Sequence, residues 1–144
     1  ALRARAVVSS ATVVNRSVNN AFVSVSVDPA RLLATVTRSA QRPESVVQIA
    51  SAFDEAIAAL DKLERKRLRL LIDLRAAPGR NDSEFERAMA TRRSDLMRDF
   101  AAVAILVQTP VGELQVARIT REDGAAAKVF SDEAKAVEWL VAKP

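Results

Sequence analysis

Residues Val103 to Val107, VAILV, form an unbroken apolar run that ends just before Thr109-Pro110. The run is too short for a helix and has no polar side. It therefore reads as a strand covered on both faces, as in a parallel sheet between layers of helix. A second run, Leu68 to Leu74 (LRLLIDL), has the same character but places Asp73 and Arg75 at its end. A turn-rich loop with Pro78, Gly79 and Asn81 follows, and Asn81, Asp82 and Ser83 each suit a helix N-cap. Strand, loop and helix in this order form a junction at a strand's carboxyl end, where binding sites gather in open α/β sheets.

The remaining pattern supplies the partners of these strands. Val23, Val25 and Val27 alternate with Ser24 and Ser26, Asp28-Pro29 makes a turn, and Leu32, Ala34 and Val36 alternate again. Residues 21–37 read as a β-hairpin, with a preceding strand near 11–15. Pro43 suits a first helical turn. Val46, Ile49, Ala50, Phe53, Ile57 and Leu60 then recur at helical spacing, which predicts a helix over 43–62. Phe85, Met89, Leu96 and Phe100 mark a second helix, interrupted on its apolar side by Arg92. Its start can be closed by a capping box, Asn81 with Glu84 or Ser83 with Glu86. Thr109 caps and Pro110 begins a third helix near 110–120. Asp123-Gly124 turns the chain into a strand at 128–130. Ser131 caps a last helix carrying Ala134, Val137, Leu140 and Val141. Trp139 lies off that apolar stripe and reads as cover for a sheet edge or as a homodimer contact.

The expected order is β-hairpin, α, β, α, β, α, β, α. This is an α/β fold with a mixed sheet of four to five strands and about four helices. Residues 1–20 are read as an N-terminal tail or edge strand, and 21–144 as one domain, which suits a chain of 144 residues.

Composition removes several function classes. The chain has no Cys, His or Tyr. A thiol nucleophile, a Cys/His zinc site, a disulfide framework and a Ser-His-Asp triad are excluded within it. No catalytic residue, metal or cofactor is assigned. The chain carries 17 Arg and 5 Lys, with a net charge of +4. Its five Phe and one Trp are not interleaved with basic residues, so nucleic-acid binding is not expected. The cluster Arg65, Lys66, Arg67 and Arg69 reads as a solvated turn. No apolar run approaches the ~20 residues that span a bilayer. With Arg3, Arg5 and Arg16 and no acid in the first 27 residues, the start reads as a short basic tail on a cytoplasmic protein.

The element order, together with VFSDEAKAVEWL at 129–140, resembles the STAS fold and its SpoIIAA-like, anti-sigma-factor-antagonist-like group. Phe130, Ala134, Ala136, Trp139 and Leu140 carry the C-terminal likeness, and the strand with Asp73 resembles that group's central strand. The resemblance covers about 21–142. It implies a bacterial, non-enzymatic regulatory or protein-interaction module. In partner-switching members the helix after the central strand begins Asp-Ser-Ser-Gly, and the second serine is phosphorylated. Aligned on Asp82, this chain has Glu84 at the acceptor position and Phe85 in place of Gly. Ser83 remains an off-register phosphorylation candidate, its alternative role being a helix cap.

Sheet logic then places 38–42, 75–83 and 108–110 on one edge. Arg38, Arg75, Arg80, Asn81, Asp82 and Thr109 are the candidate partner- or anion-binding residues, because arginine forks beside helix N-termini suit carboxylate or phosphate. The alternative is that Arg75 and Arg80 pair with Asp82, Glu84 or Glu86 and pin the loop. Asp73 would act as a general base or would accept backbone N–H groups. The expected function is partner recognition through residues 75–85. The second reading is a carrier or sensor of a small anionic or amphipathic, lipid-like ligand.

Overall fold

The computed structural model describes residues 15–79, 82–124 and 126–142. Six strands form one sheet in chain order: β1 (Asn15–Asn19), β2 (Val23–Asp28), β3 (Leu33–Arg38), β4 (Arg69–Asp73), β5 (Ala102–Leu106) and β6 (Ala127–Phe130). The first three are antiparallel, and β3 to β6 are parallel. Four helices follow the parallel strands: α1 (Val46–Asp61), α2 (Ser83–Met97), α3 (Pro110–Glu122) and α4 (Glu133–Val141). The sheet exceeds the expected four to five strands because of β1, whose sequence NRSVN hides its period. It is an edge strand with a register shift between Arg16 and Val18, so alternation is lost where it would have been read. The strand expected near 11–15 overlaps it only at Asn15; 11–14 lie outside the described residues. None of the helices among the described residues is long and apolar enough to cross a membrane.

Side-chain alternation divides the sheet into two faces. Val23, Val25, Ala34, Val36, Leu70, Ile72, Val103 and Ile105 pack with Ile49, Phe53, Ala56 and Leu60 of α1 and with Met89 and Leu96 of α2. Leu33, Leu71, Ala104 and Leu106 pack on the other face against Ala136 and Leu140 of α4. Burying a residue such as Leu60 or Leu106 contributes roughly 1.5–3 kcal/mol. Only β4 and β5 are covered on both sides at their centres, which is why their sequences show no alternation. β2 and β3 turn Ser24, Ser26, Thr35 and Thr37 away from α1, and their alternation survives. Trp139 covers β6: its ring lies 5.7 Å from Phe130, and Lys128 Nζ lies 5.8 Å from it.

The starts of α1 and α4 differ from expectation, and that of α2 falls on one of its three expected caps, each for a local reason. α1 begins at Val46 because Ser45 is the cap, accepting from the Gln48 N–H, and Pro43 stays outside the helix. Asp82 rather than Asn81 or Ser83 caps α2 and accepts from Phe85 N at 2.8 Å. Asp132 rather than Ser131 caps α4 and accepts from Lys135 N at 3.1 Å. In both latter cases a carboxylate wins over a neighbouring hydroxyl, and its charge also meets the positive end of the helix. Thr109 caps α3 as expected.

The basic connection before β4 is not simply a solvated turn. Lys66 and Arg67 are exposed, but Arg65 is only 6% exposed. Its Nη1 donates to the carbonyl oxygens of Leu96 and Arg98 at 3.0 and 2.9 Å. Its Nη2 lies 2.9 Å from an Asp61 carboxylate oxygen, and its guanidinium sits 5.0 Å from the Phe100 ring centre. One side chain thus closes the end of α2, meets the end of α1 and stacks on the residue leading into β5. Burial disfavours its charge most, and Asp61 opposes that effect. Arg65→Met should lower stability by about 2–3 kcal/mol, because two carbonyls lose a charged donor. A urea titration should show a lower midpoint at unchanged slope. Arg65→Lys should recover little, since an ammonium cannot span the same partners. A wild-type midpoint for Arg65→Met would contradict this role.

Candidate functional site at the carboxyl edge of the sheet

Because β3 to β6 are parallel, their carboxyl ends share one edge, and α1, α2, α3 and α4 begin there. The loops 38–42, 75–79 and 108–110 lie on that edge, as does the 131–132 connection. Arg80 and Asn81 lie outside the described residues.

Arg38 is part of the hairpin rather than of an open edge. It is buried, and its Nη1 donates to Ser39 O at 2.6 Å and to Phe22 O at 3.4 Å. Its guanidinium lies 5.7 Å from the Phe22 ring centre. Burial lowers its pKa, and its donors are directed into the protein.

Arg75 is half-exposed and forms a fork with Asp73. Nε and Nη2 meet the two carboxylate oxygens at 3.0 and 2.8 Å, and Nη2 also lies 3.1 Å from Glu133. The Arg75 backbone N–H adds a 3.0 Å bond to Asp73. Arg75 therefore pairs with Asp73 and Glu133, not with the Asp82, Glu84 or Glu86 considered from sequence. Partial burial alone would raise the Asp73 pKa. The hydrogen bonds and charge of Arg75 outweigh it and hold the carboxyl below its ordinary value. A carboxylate so held is poorly suited to act as a general base near neutrality. An anion approaching Arg75 would compete with the charges of Asp73 and Glu133.

Asp82 and Thr109 face the helix termini that they cap, with Thr109 Oγ1 accepting from Gly112 N at 3.0 Å. Gly112 allows this close seat: a Cβ there would stand 3.3 Å from Thr109 Oγ1 and 3.6 Å from Val107 Cγ2. Ser83 is exposed in the first turn of α2, relieved of the capping role by Asp82. Glu84 is exposed beside it, while Phe85 turns inward and packs against the core. Phe85 thus serves packing where the partner-switching pattern has Gly.

Sequence reasoning missed two parts of this edge. Glu133 completes the Asp73–Arg75 cluster, and Ser131 Oγ donates to Glu113 across the α3–β6 side. Ser131 was visible only as a cap and Glu133 only as a first-turn acid, because their partners come from different loops. Three large apolar side chains are also exposed here: Val47 (72%), Val111 (66%) and Leu114 (74%). They sit in the first turn of α1 and the first two turns of α3. The period of a helix tells which residues share a face, but not which face remains uncovered. Among the described residues, no group of three or more His, Cys, Asp or Glu is placed to hold a metal ion.

This architecture has a solved counterpart. The chain is similar to an uncharacterized protein of the DUF3478 family from Shewanella loihica PV-4, whose structure has a SpoIIAA-like fold. The match has a TM-score of 0.54 at 16% identity and covers 89% of this chain and 92% of that one. The fold is SpoIIAA-like. At this identity the likeness concerns the SpoIIAA-like fold alone. No family model and no curated protein matches the chain.

The Asp73 cluster predicts a pH signature. A lowered folded pKa contributes stability above the unfolded value of about 4, and that contribution is lost as pH falls through the folded value. Urea midpoints of the wild type and Asp73→Asn should therefore differ near pH 7 and converge toward about pH 2. A gap that stays constant over this range would show that the Asp73 charge is not what holds the loop.

Proposed function

We propose that this chain is a non-enzymatic protein-recognition module. Its partner docks on the carboxyl edge of the sheet, at residues 75–85 together with the first turn of α1 and the first two turns of α3. The observation that carries the reading is the exposure of Val47, Val111 and Leu114 on that edge. Scattered apolar side chains on a surface are ordinary, but three large ones beside the same loop cluster suit an interface core with a charged rim. Arg75, Asp82, Glu84 and Glu113 supply charges of both signs for that rim. Asp73 supports a non-catalytic reading, since Arg75 holds it ionised rather than poised to accept a proton. The SpoIIAA-like fold is compatible with this role and does not by itself assign it.

A photo-crosslinking amino acid at Val111 or Leu114 tests the reading in cells that naturally make the protein. Both positions should yield the same discrete heavier adduct, while the probe at Arg67 on the opposite edge should not. Equal labelling from both edges, or no adduct from 111 and 114, would contradict it.

A further inference from the structure

Helix α3 has a face that the fold leaves unused. Val116 packs against the core and Thr120 is buried, so the residues opposite them point away from the sheet. Val111, Leu114, Arg118 and Arg121 recur on that outer side at spacings of three and four, and so form one stripe along the helix. All four are exposed, Val111 at 66% and Leu114 at 74%. From Val111 to Arg121 the stripe runs about 15 Å. It is apolar near the carboxyl edge of the sheet and basic toward the other end.

The two arginines of the stripe stand apart from those of α2. Arg92, Arg93 and Arg98 each hold a carboxylate, from Asp54, Asp123 and Asp61 respectively. Arg118 and Arg121 have no hydrogen bond or ion pair among the described residues. Their forks are free to take carboxylates, and arginine set beside large apolar side chains is a composition enriched at interfaces. A nucleic-acid backbone would use the arginines but leave Val111 and Leu114 in water, and exposed Glu122 would repel it. An extended peptide would find no strand edge on α3 to pair with. A second helix fits both halves. Its ridges pack against the ridges of α3, with apolar side chains on Val111 and Leu114 and carboxylates about two turns further along, on Arg118 and Arg121.

We infer that the outward face of α3 recognises an amphipathic, acidic helix of the partner protein. The inference rests on docking at the carboxyl edge. It deepens that reading by naming the partner's chemistry and by extending the footprint along α3 to Arg121.

Panning a displayed library of random peptides, about 15 residues each and roughly 22 Å long as helices, against the whole chain tests the inference. Enriched peptides should carry apolar residues at helical spacing and a pair of Asp or Glu about two turns away. A synthetic peptide of the enriched sequence should bind at least about tenfold more weakly to R118E/R121E and to Leu114→Ser. Both variants should keep the wild-type urea midpoint, because the altered side chains are exposed. Binding to the wild type should weaken as NaCl rises to about 0.5 M. Lysine in place of the peptide's two acids should restore binding to R118E/R121E, a rescue that a disturbed fold would not allow. The inference is overturned if no acidic peptide is enriched, if R118E/R121E binds as the wild type does, or if the charge-swapped peptide restores nothing. The same two substitutions in the Val111 crosslinking experiment separate this inference from the docking edge. An adduct kept at full yield overturns the acidic helix and leaves the edge standing. No adduct in the wild type overturns the edge and this inference with it.

Discussion

The guanidinium of Arg65 is the interaction on which the layout of the parallel half of the sheet depends. An α-helix leaves its last carbonyls unsatisfied, and at the end of α2 a buried cation supplies the missing donor. That bond determines where α2 stops and how the chain turns through Asp99, in a left-handed conformation with φ 69°, toward β5. The turn delivers Ala101 N to Leu68 O at 2.9 Å, which begins the pairing of β4 with β5. The register is then carried along both strands to their carboxyl ends, where Asp73 stands opposite Leu106. A contact at one edge of the sheet therefore positions the loops at the other.

Four arginines of the described residues make inward or inter-element bonds that shape the fold. Arg38 bonds hairpin carbonyls, Arg65 closes α2, and Arg92 grips Asp54 of α1 through bonds of 2.9 and 3.2 Å. Arg93 joins α2 to the end of α3 through Asp123. The second helix has few buried side chains of its own, Met89 and Leu96, so these forks hold it where apolar contact is thin. What the carboxyl edge offers is exposed apolar side chains set among charges of both signs.

Much of the fold was legible because its signals are local. The two continuous apolar runs mark strands covered on both faces, the Val/Ser alternation marks a hairpin covered on one, and Thr109-Pro110 marks a helix start. β1 was not legible, because a bulged edge strand with one inward valine has no period to read. The cap of α4 lies one residue beyond the expected Ser131, and that of α2 could only be narrowed to three neighbours, because adjacent Asp and Ser both qualify and charge decides between them only in place. The candidate site was legible in position and less so in content. Arg38 and Arg75 are on or beside the expected edge, but two of their partners, Phe22 and Glu133, are distant in sequence. The burial of Arg65 had no sequence signal, since its neighbours Lys66 and Arg67 are exposed.

The central claim is that the carboxyl edge, with its exposed apolar side chains, is the surface that meets a partner. Hydrogen–deuterium exchange on the isolated chain and on its complex purified from native cells addresses this most directly. The account predicts slowed exchange in the complex at residues 46–50, 74–79, 82–85 and 110–114. Slowing confined to 62–68 and 98–101, with the carboxyl edge unchanged, would contradict it.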